Sequence, residues 1–115
     1  MRYYLGLDNG GTSTKAALFD TEGRQIGVGA AATDAITPAP GFVERDMDDM
    51  WQDNCRVIRA LLEKTGINSR KIAGIGLCGH GKGLYLWGKG EQPVRRGSLS
   101  ADNRAWKYQM DWRTD

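Results

Sequence analysis

Residues 4–20, YLGLDNGGTSTKAALFD, decide the fold. Tyr3–Asp8 is a short aromatic and aliphatic run that closes on a carboxylate, the pattern of a strand. Asn9-Gly10-Gly11-Thr12-Ser13-Thr14 is turn chemistry with hydroxyls, and Lys15–Asp20 turns apolar again. Thr21-Glu22-Gly23-Arg24 makes a second turn, after which Gln25–Ala32 resumes an extended pattern. Three strands joined by short turns predict an antiparallel meander whose first turn is rich in glycine.

Thr33–Glu44 carries Pro38, Pro40 and Gly41 and reads as a loop. Asp46 suits a helix N-cap, with Asp48 and Asp49 favourable against the helix dipole in the first turn. Met47, Met50, Trp51, Cys55, Ile58, Leu61 and Leu62 then recur at three- and four-residue spacing. That spacing predicts a helix ending near Thr65, stopped by Gly66, with Trp51 and the methionines in its core face. Lys71–Cys78 and Leu84–Trp87 read as two further strands. Asp102 would cap a second, amphipathic helix containing Ala105, Trp106, Met110 and Trp112 and running on through Met110–Asp115. The predicted order is β-β-β-α-β-β-α, an α/β class with mixed strand directions.

The chain has 115 residues, long enough for one domain with its own core. Sixteen Lys and Arg against 14 Asp and Glu give a net charge of +2, without a basic block to mark a nucleic-acid partner. No apolar run approaches the roughly 20 residues of a membrane span, and Met1–Gly10 lacks the apolar core of a secretory signal. Cys55 and Cys78 lie far apart with no CxxC, which points to buried, reduced thiols in a cytoplasmic protein. The 16 glycines are roughly twice the average usage and cluster at Gly10-Gly11, Gly27–Gly29 and Gly74–Gly83.

Gly74-Ile-Gly-Leu-Cys-Gly79 satisfies G-x-G-x-x-G, but a dinucleotide fingerprint must open a helix, and this segment leads into another strand. Gly76–Lys82 approaches a Walker A loop, yet Gly83 stands where a Ser or Thr would ligate Mg²⁺. Asp8–Lys15 carries more. A hairpin turn of Gly, Gly, Thr and Ser can aim backbone N–H groups and hydroxyls into one concavity that holds phosphate oxygens. Asp8 can then hold Mg²⁺ directly or through water, and Lys15 can add positive charge. The same residues would equally make an ordinary polar hairpin. Pro40–Asp46 leads into the helix and places Glu44 and Asp46 near the positive end of its dipole. His80 and Lys82, set among glycines between two strands, can line a cleft and hydrogen-bond a polyhydroxylated ligand. Asp102-Asn103-Arg104 either binds such hydroxyls or caps the helix.

Taken together, these segments resemble the N-terminal part of a sugar kinase of the FGGY carbohydrate kinase family, within the actin/Hsp70/hexokinase-like ATPase superfamily. Tyr4–Asp20 is similar to the family's first phosphate loop. Pro40–Trp51 (PGFVERDMDDMW) is similar to its Gly-aromatic, Glu-x-Asp, Trp stretch, and Ile72–Leu86 (IAGIGLCGHGKGLYL) to its strand and sugar-contacting turn. Gly97–Arg104 (GSLSADNR) resembles a segment that often reads Trp-x-Asp-x-Arg, with Ser100 in place of the Trp. Gly81-Lys82-Gly83-Leu84 looks most like the L-xylulose kinases. The resemblance implies a ribonuclease-H-like, actin-like ATPase domain, with residues 1–115 as a partial N-terminal domain of a longer enzyme. It implies ATP-dependent phosphorylation of a hydroxyl of a ketopentose such as L-xylulose, with MgATP and a sugar as small-molecule ligands and a homodimer at full length. By resemblance Asp8 helps place the metal, Gly11, Thr12, Ser13 and Lys15 contact phosphates, and Gly81, Lys82, Asp102 and Arg104 face the sugar. The general-base Asp, the adenosine pocket and a second phosphate loop are expected outside this chain, so the segment alone is expected to be inactive. Other acceptors of the superfamily (xylulose, ribulose, glycerol, an N-acetylhexosamine) are the enzymatic alternatives, and a nucleotide-switched actin- or Hsp70-like protein is the non-enzymatic one.

Overall fold

Alternating side chains along Tyr3–Asn9 give a strand with one face in a core: Leu5 and Leu7 are buried while Tyr4 is exposed. The computed structural model describes residues 1–113. β1 (Tyr3–Asn9) pairs antiparallel with β2 (Ser13–Asp20), and β2 pairs antiparallel with β3 (Gln25–Ala32), which is the expected meander. Leu5 stands opposite Leu18, Leu7 opposite Ala16 and Asn9 opposite Thr14, so these pairs share one face of the sheet. β5 (Ile72–Gly79) lies parallel to β1 on its other side, giving a four-stranded mixed sheet in the order β3-β2-β1-β5.

Helix α1 (Met47–Thr65) starts one residue after Asp46 and ends at Gly66, whose φ of +69° favours glycine. Val57 and Leu61, one turn apart, close the core over Leu5, Leu7, Ala16 and Leu18. Asn54 continues the same buried stripe. Trp51, by contrast, is 64% exposed, so its place in the apolar repeat does not put it in the core of this chain. The chain forms two compact units. The first comprises Met1–Asp34 and Asp48–His80, and the second Ala35–Met47 with the residues from Gly81 onward.

The second unit departs from several expectations. The loop read over Thr33–Glu44 ends in a short strand, β4 (Glu44–Arg45), antiparallel to β6 (Gly97–Ser98). Leu84–Trp87 is not a strand. Leu84 bridges Ser98 while Trp87 bridges Pro93, and a run that takes two unrelated partners builds no continuous ladder. The order is therefore β-β-β-β-α-β-β-α. Helix α2 (Trp106–Trp112) has Ala105 at its N-cap and no side-chain cap bond, so Asp102 does not cap it. None of its side chains is buried, and it ends at Trp112; the last two residues of the expected longer helix lie outside the described residues. Cys55 is half-buried, and Cys78, expected inside, is exposed on the edge strand β5.

Candidate functional site

The glycine-rich turn belongs to the first unit, where the β1–β2 ladder sets its geometry. The Gly10 N–H donates to the Ser13 carbonyl at 2.9 Å, closing the turn across Gly11 and Thr12. A Cβ on Gly10 would stand 2.9 Å from that same oxygen, so only glycine allows the closure. The Thr12 carbonyl accepts from the Thr33 N–H at 3.1 Å, which ties the turn to the end of β3. Thr12 is exposed and Ser13 half-buried; neither hydroxyl, nor the ammonium of exposed Lys15, donates a hydrogen bond among the described residues. Three donors are thus available around one turn.

Asp8 stands opposite Lys15 on β2 and opposite Cys78 on β5. One carboxylate, one ammonium and one thiol share a row across three strands. They line an open groove of about 390 Å³ together with Gly6, Phe19 and Leu77. Loss of water contact, and then the hydrogen bond and negative charge of Asp8, push the Cys78 thiol above its ordinary range. No group of three or more His, Cys, Asp or Glu residues that could cage a metal occurs among the described residues. A single carboxylate beside a turn rich in available donors is compatible with Mg²⁺, which takes one or two carboxylates and fills its other positions with water and phosphate oxygens.

The opposite face of the same hairpin holds two residues that the sequence reading gave no role. Asn9 Oδ1 accepts from Asn54 Nδ2 at 2.9 Å and from the Thr14 hydroxyl at 3.4 Å, while Asn54 Nδ2 also donates to the Met50 carbonyl at 2.7 Å. The signal for Asn54 is its position, an amide in the stripe that otherwise holds Val57 and Leu61. The Asn9 carbonyl accepts from the His80 N–H at 3.0 Å, so the end of β5 is tied there too.

The sugar-side candidates after His80 fall in the second unit. Gly81 and Lys82 are exposed, and Lys82 adopts φ +60°, an uncommon conformation for a residue with a Cβ. Asp102 and Arg104 come together. Asp102 Oδ1 accepts from Arg104 Nε at 2.9 Å and from its backbone N–H at 3.1 Å. Oδ2 accepts from Arg104 Nη2 at 2.6 Å and from the Val43 N–H at 2.8 Å. Arg104 Nη2 also donates to Glu44 Oε2 at 2.7 Å, and the guanidinium lies 3.9 Å from the centre of the Phe42 ring. Hydrogen bonds from Arg104 hold the Asp102 carboxyl far below the usual range against the opposing effect of burial. Hydrogen bonds to Asp102, then to Glu44, raise Arg104 in turn. Glu44, expected only to face the helix dipole, is instead a nearly buried anion with Arg104, Arg95 and Arg96 around it. Within the Asp102–Arg104 pair the Asp102 oxygens are filled, and the donors left are those of Arg104 Nη1, which makes no hydrogen bond among the described residues. An open groove of about 710 Å³ runs beside it, lined by Phe42, Trp106 and Tyr108 among others.

The chain belongs to the FGGY family of carbohydrate kinases: residues 3–115 match the model of the family's N-terminal domain. It is 45% identical over 114 residues to the L-xylulose/3-keto-L-gulonate kinase of Escherichia coli (strain K12), covering 99% of this chain and 23% of that protein. It is 42% identical over 112 residues to a probable L-xylulose kinase of Pasteurella multocida (strain Pm70), covering 97% of this chain and 23% of the relative. The structure superposes on a xyloylose kinase from Brucella ovis with a TM-score of 0.91 at 29% identity, over 99% of this chain and 24% of that one. The fold is therefore the actin-like, ribonuclease-H-like ATPase fold of these sugar kinases. The chain spans about a quarter of the length of the relatives it matches.

Proposed function

We propose that this chain is the N-terminal part of an ATP-dependent sugar kinase that phosphorylates a hydroxyl of a ketopentose such as L-xylulose. Its similarity to kinases of that description supports the substrate class. The observation that carries the reading is the β1–β2 hairpin. Its glycine closure, two hydroxyls and one ammonium surround a single turn, with a carboxylate in register beside it.

In this reading the backbone of Gly11, the hydroxyls of Thr12 and Ser13 and the ammonium of Lys15 receive the phosphate oxygens. Asp8 holds Mg²⁺ directly or through a water. The metal supplies charge neutralisation on the phosphates when it is bound. The sugar hydroxyl attacks the γ-phosphorus, its proton passes to a base outside this chain, and the bond to the β-phosphate oxygen breaks to release ADP. Catalysis of this kind is mostly positioning and charge complementarity. Gly81 and Lys82 face the sugar, as do Asp102 and Arg104. Within that last pair the geometry favours Arg104 Nη1 as the contacting group, with Asp102 fixing the guanidinium from behind. In this reading the enzyme works in the cytoplasm; no helix of the described residues is long and apolar enough to cross a membrane.

The test is ADP release by the full-length enzyme across a panel of pentuloses, glycerol and N-acetylhexosamines. Sugar-dependent turnover greatest with a ketopentose is expected. Turnover greatest with glycerol would move the acceptor, and ATP hydrolysis indifferent to every acceptor would replace the kinase with a nucleotide switch.

A further inference from the structure

We propose that Asn54 of α1 is a positioning residue for the hairpin, acting through a three-residue polar clamp with Asn9 and Thr14; this rests on the reading of that hairpin as the phosphate site. Asn9 is the last residue of β1, and Thr14, near the start of β2, stands directly across from it. The two side chains flank the turn as its stems. One oxygen, Asn9 Oδ1, receives both the Thr14 hydroxyl and the Asn54 amide, so both stems are held to each other and to the helix.

The orientation of the Asn54 amide is not arbitrary. Its Nδ2 faces two acceptors, Asn9 Oδ1 and the Met50 carbonyl. Turning the amide over would set Oδ1 against both oxygens. The observed orientation persists although the buried Oδ1 has no hydrogen-bond partner, and a buried acceptor left so is costly. Asn54 is 7% exposed and Thr14 fully buried, so the clamp works where water does not compete for its bonds. An apolar side chain at 54 would pack with Val57 and Leu61 at least as well, so packing alone gives no reason for an amide there. What the amide adds is a fixed hairpin. A turn already in its binding shape spends no binding energy on ordering itself when the phosphates arrive.

The clamp predicts a specific kinetic pattern in the full-length enzyme. Asn54→Leu and Thr14→Val are each expected to raise KM for MgATP by about five- to tenfold, the scale of one hydrogen bond's worth of positioning. KM for the sugar should stay within about twofold of wild type, since no bond of the clamp reaches the sugar-side residues. Thr14→Ser keeps the hydroxyl and should restore the wild-type value. In an Asn9→Leu background, Asn54→Leu should have no further effect on KM for MgATP, because the bond it removes is already gone. Equal increases in both KM values, or an unchanged KM for MgATP in a variant that melts cooperatively, would overturn the clamp. If Asn54→Leu does not fold, the Thr14→Val and Thr14→Ser pair decides by the same measure. Wild-type turnover with a sugar but no MgATP effect in the variants overturns the clamp alone. Should the wild type lack turnover, the kinase reading fails, and calorimetric titration with MgATP measures the same ratios as Kd; absence of MgATP binding overturns both.

Discussion

Lys82 is exposed and, of the charged candidates, the one with a positive φ. A side chain held at φ +60° between two glycines is costly for the local chain and is tolerated where a side chain must be presented at a particular angle. If that angle serves the sugar, Lys82→Ala should raise KM for the sugar by about tenfold and leave KM for MgATP within about twofold, the pattern for loss of one charged hydrogen bond. Equal effects on the two KM values in initial-rate kinetics would remove Lys82 from the sugar side. Single residues are also where the sequence was least legible. Asp8 and Lys15 could be singled out because carboxylate and ammonium flank a glycine turn, and the ladder does set them opposite each other. Asn9 and Asn54 could not, because their role depends on a contact between residues 45 positions apart. Glu44 was misread for the same reason, since its partner Arg104 lies 60 positions away.

Elements fared according to their length. β1, β2, β3 and α1 have enough residues for a period to declare itself; Leu5, Leu7, Ala16, Leu18 and Leu61 of those runs are in the observed core, whereas Ile26 and Val28 of β3 and Trp51 of α1 are exposed. β4 and β6 have two residues each, too few for any pattern, and they pair as Glu44 opposite Ser98 and Arg45 opposite Gly97, with Glu44 also ion-paired to Arg104. The reverse error arose at Leu84–Trp87, where an apolar run met no single partner strand. The ion cluster also has a pH signature. Arg104 lowers the Asp102 carboxyl below its unfolded value, so the stabilisation is complete above about pH 4, the unfolded range of a carboxylate, and is lost as pH falls through the lower folded value. Asp20 acts with the same sign through its bonds to Arg24. Thermal melts followed by circular dichroism should be nearly level from pH 7 to about pH 5 as far as these two carboxylates contribute, and should fall at lower pH. Asp102→Asn should lower the melting temperature at neutral pH and flatten the acid fall. An acid fall as steep in Asp102→Asn as in wild type would show that the cluster does not carry it.

At the scale of the whole molecule, the sheet and α1 form one unit and the ion cluster with its short strands another, each with its own internal hydrogen bonds. Ile75 and Leu77 on the edge strand β5, and Trp106, Tyr108, Met110 and Trp112 on α2, are all exposed large apolar side chains. The matched relatives are about four times as long as this chain, and the proposed chemistry takes its base and its adenosine pocket from outside these residues. The central claim is nevertheless local: the turn from Gly10 to Lys15 grips the polyphosphate. A crystal structure of the full-length enzyme with Mg²⁺ and a non-hydrolysable ATP analogue tests it directly. The account predicts phosphate oxygens within hydrogen-bonding distance of the Gly11 backbone and the Thr12 and Ser13 hydroxyls, with the metal beside Asp8. A fully occupied nucleotide whose phosphates lie away from that turn would contradict it.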